Sequence, residues 1–126
     1  MKKTISIDLD GVLNTYDGHF EEDNIPPVRE GAYEFLSEMS KSYKIEIFTT
    51  RNRKTTFLWL TKEGLIDFIS DVTNVKNPCT SVFIDDRALQ FKGNYSEIKK
   101  QILNFQPFWK QYKCKKNFSF REAWEN

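Results

Sequence analysis

The sequence has little of several things. Two cysteines, Cys79 and Cys114, stand far apart in 126 residues and without metal-ligand spacing, which argues against a disulfide framework or a thiolate metal site. The only histidine, His19, lies in a loop-like stretch and reads as a surface residue. Neither charge sign dominates: 19 basic side chains face 18 acidic ones, so there is no electrostatic case for a nucleic-acid partner or an anionic membrane. No apolar run reaches the roughly 18 residues a bilayer span needs. MKKT passes straight into ISIDLD without the apolar core of a signal peptide. The expectation is a soluble, reduced, cytoplasmic chain.

Aromatics are plentiful, with eleven Phe, five Tyr and three Trp. A chain of this length buries roughly two-thirds of its unfolded surface, so one domain with its own core is expected. Charge is uneven within it. Residues 1–106 hold 14 basic against 16 acidic side chains, and the tail from Pro107 holds five against two. Basic charges interleaved with aromatics in a tail usually form a solvated face. The organisation expected is a core over 1–106 with an aromatic, mildly basic extension over 107–126 packing on it.

Apolar segments alternate between two periods. Thr4–Asp8, Lys44–Thr49, Phe68–Thr73 and Ser81–Asp85 read as strands. Val28–Ser42 reads as a helix opened by Pro26-Pro27, with Ala32, Tyr33, Leu36 and Met39 on one face. Thr55–Glu63 reads as a helix stopped by Gly64, and Ser96–Phe105 as a third, carrying Ile98, Ile102 and Phe105. Ser119 and Glu122 have the spacing of a capping box. Gly11–Pro27 is irregular and holds a turn signal at Asp17-Gly18, which suggests a small flap. Strands alternating with helices predict an α/β, three-layer Rossmann-like fold with a mainly parallel central sheet and right-handed crossovers. Ligands of such sheets sit outside the carboxyl ends of the strands. Asp8, Thr49 and Asp85 each close an apolar strand, so parallel strands would gather all three on one edge.

The stretch Asp8-Leu9-Asp10-Gly11 after the first strand, Thr49 after the second, then Lys76, then Asp85-Asp86 after a later strand resembles the haloacid dehalogenase superfamily of aspartyl-phosphate hydrolases. The motifs span residues 5–86. The resemblance implies that Asp8 is the nucleophile, forming a covalent intermediate that splits one hard step into two. It implies that Asp10, on the same face by its spacing of two, is the general acid and then the general base. Thr49, with Thr50 as its alternate, would donate to the transferring phosphoryl oxygens, and Lys76 would neutralise phosphate charge and orient Asp8. Adjacent acids at a buried strand end suit a hard cation with oxygen ligands. The family pattern makes Mg²⁺ the cofactor, held by Asp8, the backbone carbonyl of Asp10, and Asp85, with Asp86 acting through water.

The gaps between motifs have no room for a cap domain, so an open, capless site is implied. Asn14, Tyr16 and His19 in the flap, and Arg51, Arg53 and Lys54 after the second strand, are the local candidates for selectivity. Thr50 and Arg51 are the residues expected to meet an anionic substrate. The activity implied is phosphomonoester hydrolysis of a small phosphorylated metabolite, a sugar phosphate or a nucleotide, with a phosphoprotein or a nucleic-acid end as the alternative that an open site admits. The competing expectation is a phospho-accepting or phosphate-binding regulatory module with little turnover. In receiver domains, however, the acidic pair comes early and the acceptor later, whereas here D-x-D leads. The tail aromatics pack on the sheet or cover an interface in a homo-oligomer; the sequence leaves both open.

Overall fold

The fold was taken from a computed structural model, which describes residues 2–109. Four strands form one sheet: β1 (Lys3–Asp8), β2 (Tyr43–Phe48), β3 (Asp71–Thr73) and β4 (Thr80–Ile84), in the order β3-β2-β1-β4. Every pairing is parallel. Helices α1 (Ala32–Met39) and α2 (Arg53–Lys62) connect the first three strands, and α3 (Tyr95–Asn104) follows the last. This is a Rossmann-like α/β arrangement, and no cap domain is inserted among the described residues. No described helix is long and apolar enough to cross a membrane.

The chain divides into two compact units after Asp85, inside the segment that the sequence reading takes as one core. In the first unit, Ile5, Ser6 and Ile7 are buried in succession along β1. Burial on both faces is what an interior parallel strand requires. Ile45 and Ile47 of β2, Leu36 of α1, Leu60 of α2, Leu65 and Val72 complete the core with them. In the second unit, Ile98, Ile102 and Phe105 line a shallow groove with Leu89 and Phe91. The Ser119–Glu122 capping box and nearly all of the 107–126 extension lie outside the described residues.

Helix α1 begins four residues later than the proline pair suggests. Val28 is used in an antiparallel bridge with Asn14, and Arg29 N–H donates to the Leu13 carbonyl at 2.8 Å. Gly31 then takes φ +89° to reset the chain into the helix, a conformation that costs a residue with a Cβ. Tyr33, expected on the buried face, is half exposed, its ring meeting Phe68 edge-on at 5.1 Å. The Asp17-Gly18 signal does not mark a hairpin. Residues 15–27 form an excursion closed at its base by the Asn14–Val28 bridge and by Thr15 N–H on the Pro27 carbonyl at 2.9 Å. Helix α2 starts at Arg53, two residues before the Thr55 that the sequence suggests, because Asn52 caps it: Asn52 Oδ1 accepts from Thr55 N–H at 3.0 Å, satisfying one orphan donor of the first turn.

Candidate active site

Register places the acids. Asp8 pairs with Phe48 as the last row between β1 and β2, and Ile7 with Ile84 as the last row between β1 and β4. The next residue of β4's chain, Asp85, therefore comes level with Asp8. The two side chains bring carboxylate oxygens within 4.8 Å of each other. The strand order explains why this edge is the one that matters. Connections run outward from β1 to β2 to β3 and then jump across to β4, so the direction reverses between β1 and β4. Crevices in open α/β sheets form at such reversals, and Asp8 and Asp85 flank this one. Asp86 is the first residue of the second unit, where the Trp109 indole N–H donates to its carboxylate.

The oxygens fit a hard cation. Octahedral Mg²⁺ at about 2.1 Å per bond sets adjacent ligand oxygens about 3 Å apart and opposite ones about 4.2 Å apart. Two carboxylates with oxygens within 4.8 Å of each other are near enough to share one metal ion. Like charges this close also repel, and a divalent ion between them removes the repulsion.

After β1 the chain makes a wide turn over Leu9–Leu13, with Leu9, Gly11 and Leu13 buried. Asn14 N–H reaches back to the Leu9 carbonyl at 3.3 Å. Gly11 sits at φ +87°, which is why the motif has glycine there. Asn14 is 0% exposed and brackets the turn from inside. Its Oδ1 accepts from Gly11 N–H at 3.1 Å and Tyr16 N–H at 3.0 Å, while its Nδ2 donates to Asp10 Oδ1 at 3.0 Å. Arg29 Nη2 braces the same turn from the far side of the flap, donating to the Asn14 carbonyl at 3.0 Å and the Gly11 carbonyl at 3.4 Å.

Asp10 has a second partner. Arg51 Nε donates to its Oδ2 at 2.8 Å. The sequence reading puts Arg51 toward substrate, yet its side chain is only 1% exposed. Its Nη1 donates to the carbonyls of Glu21 at 2.7 Å and Glu22 at 3.1 Å, and its Cζ lies 4.4 Å from the centre of the Phe20 ring. Thr49 is buried, its N–H on the Thr73 carbonyl at 3.0 Å and its Oγ1 accepting from Arg51 N–H at 3.1 Å. That acceptance leaves the hydroxyl proton for another acceptor. Thr50, exposed, lines a polar cleft of about 340 Å³ with Asn52, Arg53, Asp71 and Thr73.

Lys76 lies in the β3–β4 connection, which crosses one face of the sheet without a helix. Asn77 Nδ2 ties this loop to Glu46 at 3.2 Å, and Lys76 Nζ sits 5.1 Å from the centre of the Phe83 ring. Glu46 and Phe83 are both register partners of Ser6, so all three project from one face. Asp8, two residues on from Ser6, shares it. Lys76 is thus on the Asp8 face, one pleat back from the edge. Tyr16 is half-buried, and His19, Arg53 and Lys54 are exposed.

Sequence reasoning missed two braces. Asn14 was a flap candidate rather than the inner bracket of the turn; its place four residues after Asp10 was the available signal. Arg29 had none, since a lone arginine after Pro26-Pro27-Val28 reads as solvated.

No family model matches the chain, and no curated protein matches it. Among solved structures it is similar to a conserved protein from Bacteroides thetaiotaomicron, with TM-score 0.54 and 18% identity, covering 89% of this chain and 98% of that one. It is also similar to an uncharacterized protein from Listeria monocytogenes serotype 4b, with TM-score 0.48 and 23% identity over 60% of this chain; it spans 49% of that protein's length. The Bacteroides likeness shows a shared fold.

Proposed function

We propose that the chain is a divalent-metal-dependent phosphomonoester hydrolase of the haloacid dehalogenase type, acting through an aspartyl-phosphate on Asp8. One observation carries the reading: Asp8 and Asp85, 77 positions apart in the sequence, bring carboxylate oxygens within 4.8 Å at the sheet's reversal point. Asp8, the Asp10 carbonyl and Asp85 would hold Mg²⁺, with Asp86 beside them in the chain. The cation supplies positive charge that lets an anionic nucleophile approach an anionic phosphate.

The chain's own groups divide the work. An Asp8 oxygen attacks phosphorus as the bond to the leaving oxygen breaks, and Asp10 gives that oxygen its proton. Water then attacks phosphorus, passing a proton back to Asp10. The bond to Asp8 breaks, releasing inorganic phosphate and restoring both acids. Thr49 donates its hydroxyl to a phosphoryl oxygen, and Lys76 adds charge from the Asp8 face. Thr50, at the mouth of the polar cleft, contacts the substrate. The substrate is a small phosphorylated metabolite, a sugar phosphate or a nucleotide.

Hydrolysis of p-nitrophenyl phosphate tests this. Activity is expected with Mg²⁺, to be lost on chelation and to fall by several orders of magnitude in Asp8→Asn. Equal rates for wild type and Asp8→Asn would remove the assignment of the nucleophile.

A further inference from the structure

Arg51 is placed unlike any other cation among the described residues. Its side chain is 1% exposed, and the three parts of its planar head are used separately. The Nε edge holds Asp10 Oδ2 at 2.8 Å. The Nη1 edge holds the flap through the carbonyls of Glu21 and Glu22. The face stacks on Phe20, also in the flap, at 4.4 Å. A lysine has one point charge and no planar edges, so it cannot reproduce this fork.

The arrangement is expensive for a fold. A buried guanidinium is costly to desolvate, and one carboxylate partner seldom offsets that. Its Nη2 also has no hydrogen-bond partner among the described residues, and an unmet buried donor costs about 1–3 kcal/mol. Nothing in the apolar core needs a cation here: the Leu and Ile side chains of the first unit pack without it. The groups it does join are the proposed acid–base and the tip of the flap, 41 and about 30 residues away in sequence.

We propose that Arg51 is a positioning residue that makes the seating of the flap and the aim of Asp10 a single event. When the flap carbonyls and Phe20 hold the guanidinium, its Nε edge is directed at Asp10; when they release it, Asp10 keeps only Asn14. The flap then acts on the chemistry through Asp10, without itself supplying a catalytic group. The catalytic half of this statement rests on the hydrolase reading above; the mechanical half does not.

Hydrogen exchange of the flap peptide over residues 15–27 tests the mechanical half without any turnover. Asp10→Ala removes the far anchor of Arg51, so exchange across the flap is expected to rise at least several-fold. In Asp8→Ala it stays at the wild-type level. Equal protection in Asp10→Ala and wild type would overturn the clamp. The catalytic half is read from steady-state kinetics of Arg51→Lys and Phe20→Ala. Phe20 is exposed and its ring lies against Arg51, so its variant folds even where an Arg51 variant does not. Both are expected to lose kcat about tenfold with KM changed less than twofold, and both to show the faster flap exchange. A wild-type kcat in either, with the flap loosened, overturns the coupling. If the wild-type chain hydrolyses no phosphomonoester while the exchange pattern holds, the hydrolase reading fails and the clamp stands.

Discussion

Asn14 offers the sharpest test of how the D-x-D-G turn is held. Its side chain is fully buried and makes three hydrogen bonds: from Gly11 N–H, from Tyr16 N–H, and to Asp10 Oδ1. Asn14→Ala removes all three. Each is worth about 1 kcal/mol net, and the Gly11 N–H, which is buried, then carries the larger cost of an unmet donor, about 1–3 kcal/mol. The sum is about 3–5 kcal/mol, against a total stability on the order of 5–15 kcal/mol for a domain. Urea denaturation followed by tryptophan fluorescence measures it, as a lower midpoint at unchanged slope. Thr15→Ala is the control. Thr15 is the next residue and exposed, and its hydroxyl makes one long bond, 3.3 Å, to the Pro27 carbonyl. It should cost under about 0.5 kcal/mol. A loss below about 1 kcal/mol in Asn14→Ala would refute the bracket, and equal losses at both positions would show general loosening of the flap instead.

Three further outcomes follow from single features. Gly31→Ala should cost about 1–2 kcal/mol, because φ is +89° and no atom lies within 4 Å of the added Cβ to contribute a clash; a neutral result in the same urea titration would remove the claim that Gly31 sets the start of α1. Leu36→Ala, in the same helix and fully buried, should cost about 2–5 kcal/mol, checked by thermal unfolding; a loss under 1 kcal/mol would mean α1 is not packed on the sheet. Arg53 Nη2 donates to Asp71 at 2.8 Å, and this hydrogen bond holds the Asp71 carboxyl below its ordinary value of 3.8. A lowered acid contributes stability above its unfolded value and loses it as pH falls through the folded value. The pair is about half exposed, so Asp71→Asn should cost under about 1 kcal/mol at pH 7, and the difference from wild type should shrink as pH falls below 3.8 and through the lowered folded value. A difference that persists at low pH would assign the effect to packing.

The edge where the acids meet was legible in the sequence because its signal is local. Each strand is a short apolar run, and each run stops at a side chain that a core rejects: Asp8, Thr49, Asp85. Parallel pairing then brings those endings together whatever lies between. The start of α1 was not legible, because Pro26-Pro27 marks a chain that can enter a helix, whereas the Asn14–Val28 bridge is a non-local use of the same residues. Arg51 failed for a related reason. An arginine after a strand at this edge reads as reaching out to an anionic substrate, and its burial depends on Asp10, Phe20, Glu21 and Glu22 arriving from far away in the chain. Lys76 was marked by its place in motif order alone. The register of Glu46, Ser6 and Phe83 is what sets it on the Asp8 face, and no pattern within VTNVKNP carries that.

Capture of the covalent intermediate tests the central claim most directly. The chain is mixed with Mg²⁺ and a reactive phosphomonoester, quenched in acid within milliseconds, reduced with borohydride and digested. An aspartyl-phosphate is reduced to homoserine, so the peptide containing ISIDLDG should lose the mass of one oxygen while gaining two hydrogens, with fragmentation assigning the change to Asp8. Modification at another carboxylate, or brisk hydrolysis with Asp8 unmodified at every quench time, would contradict the account.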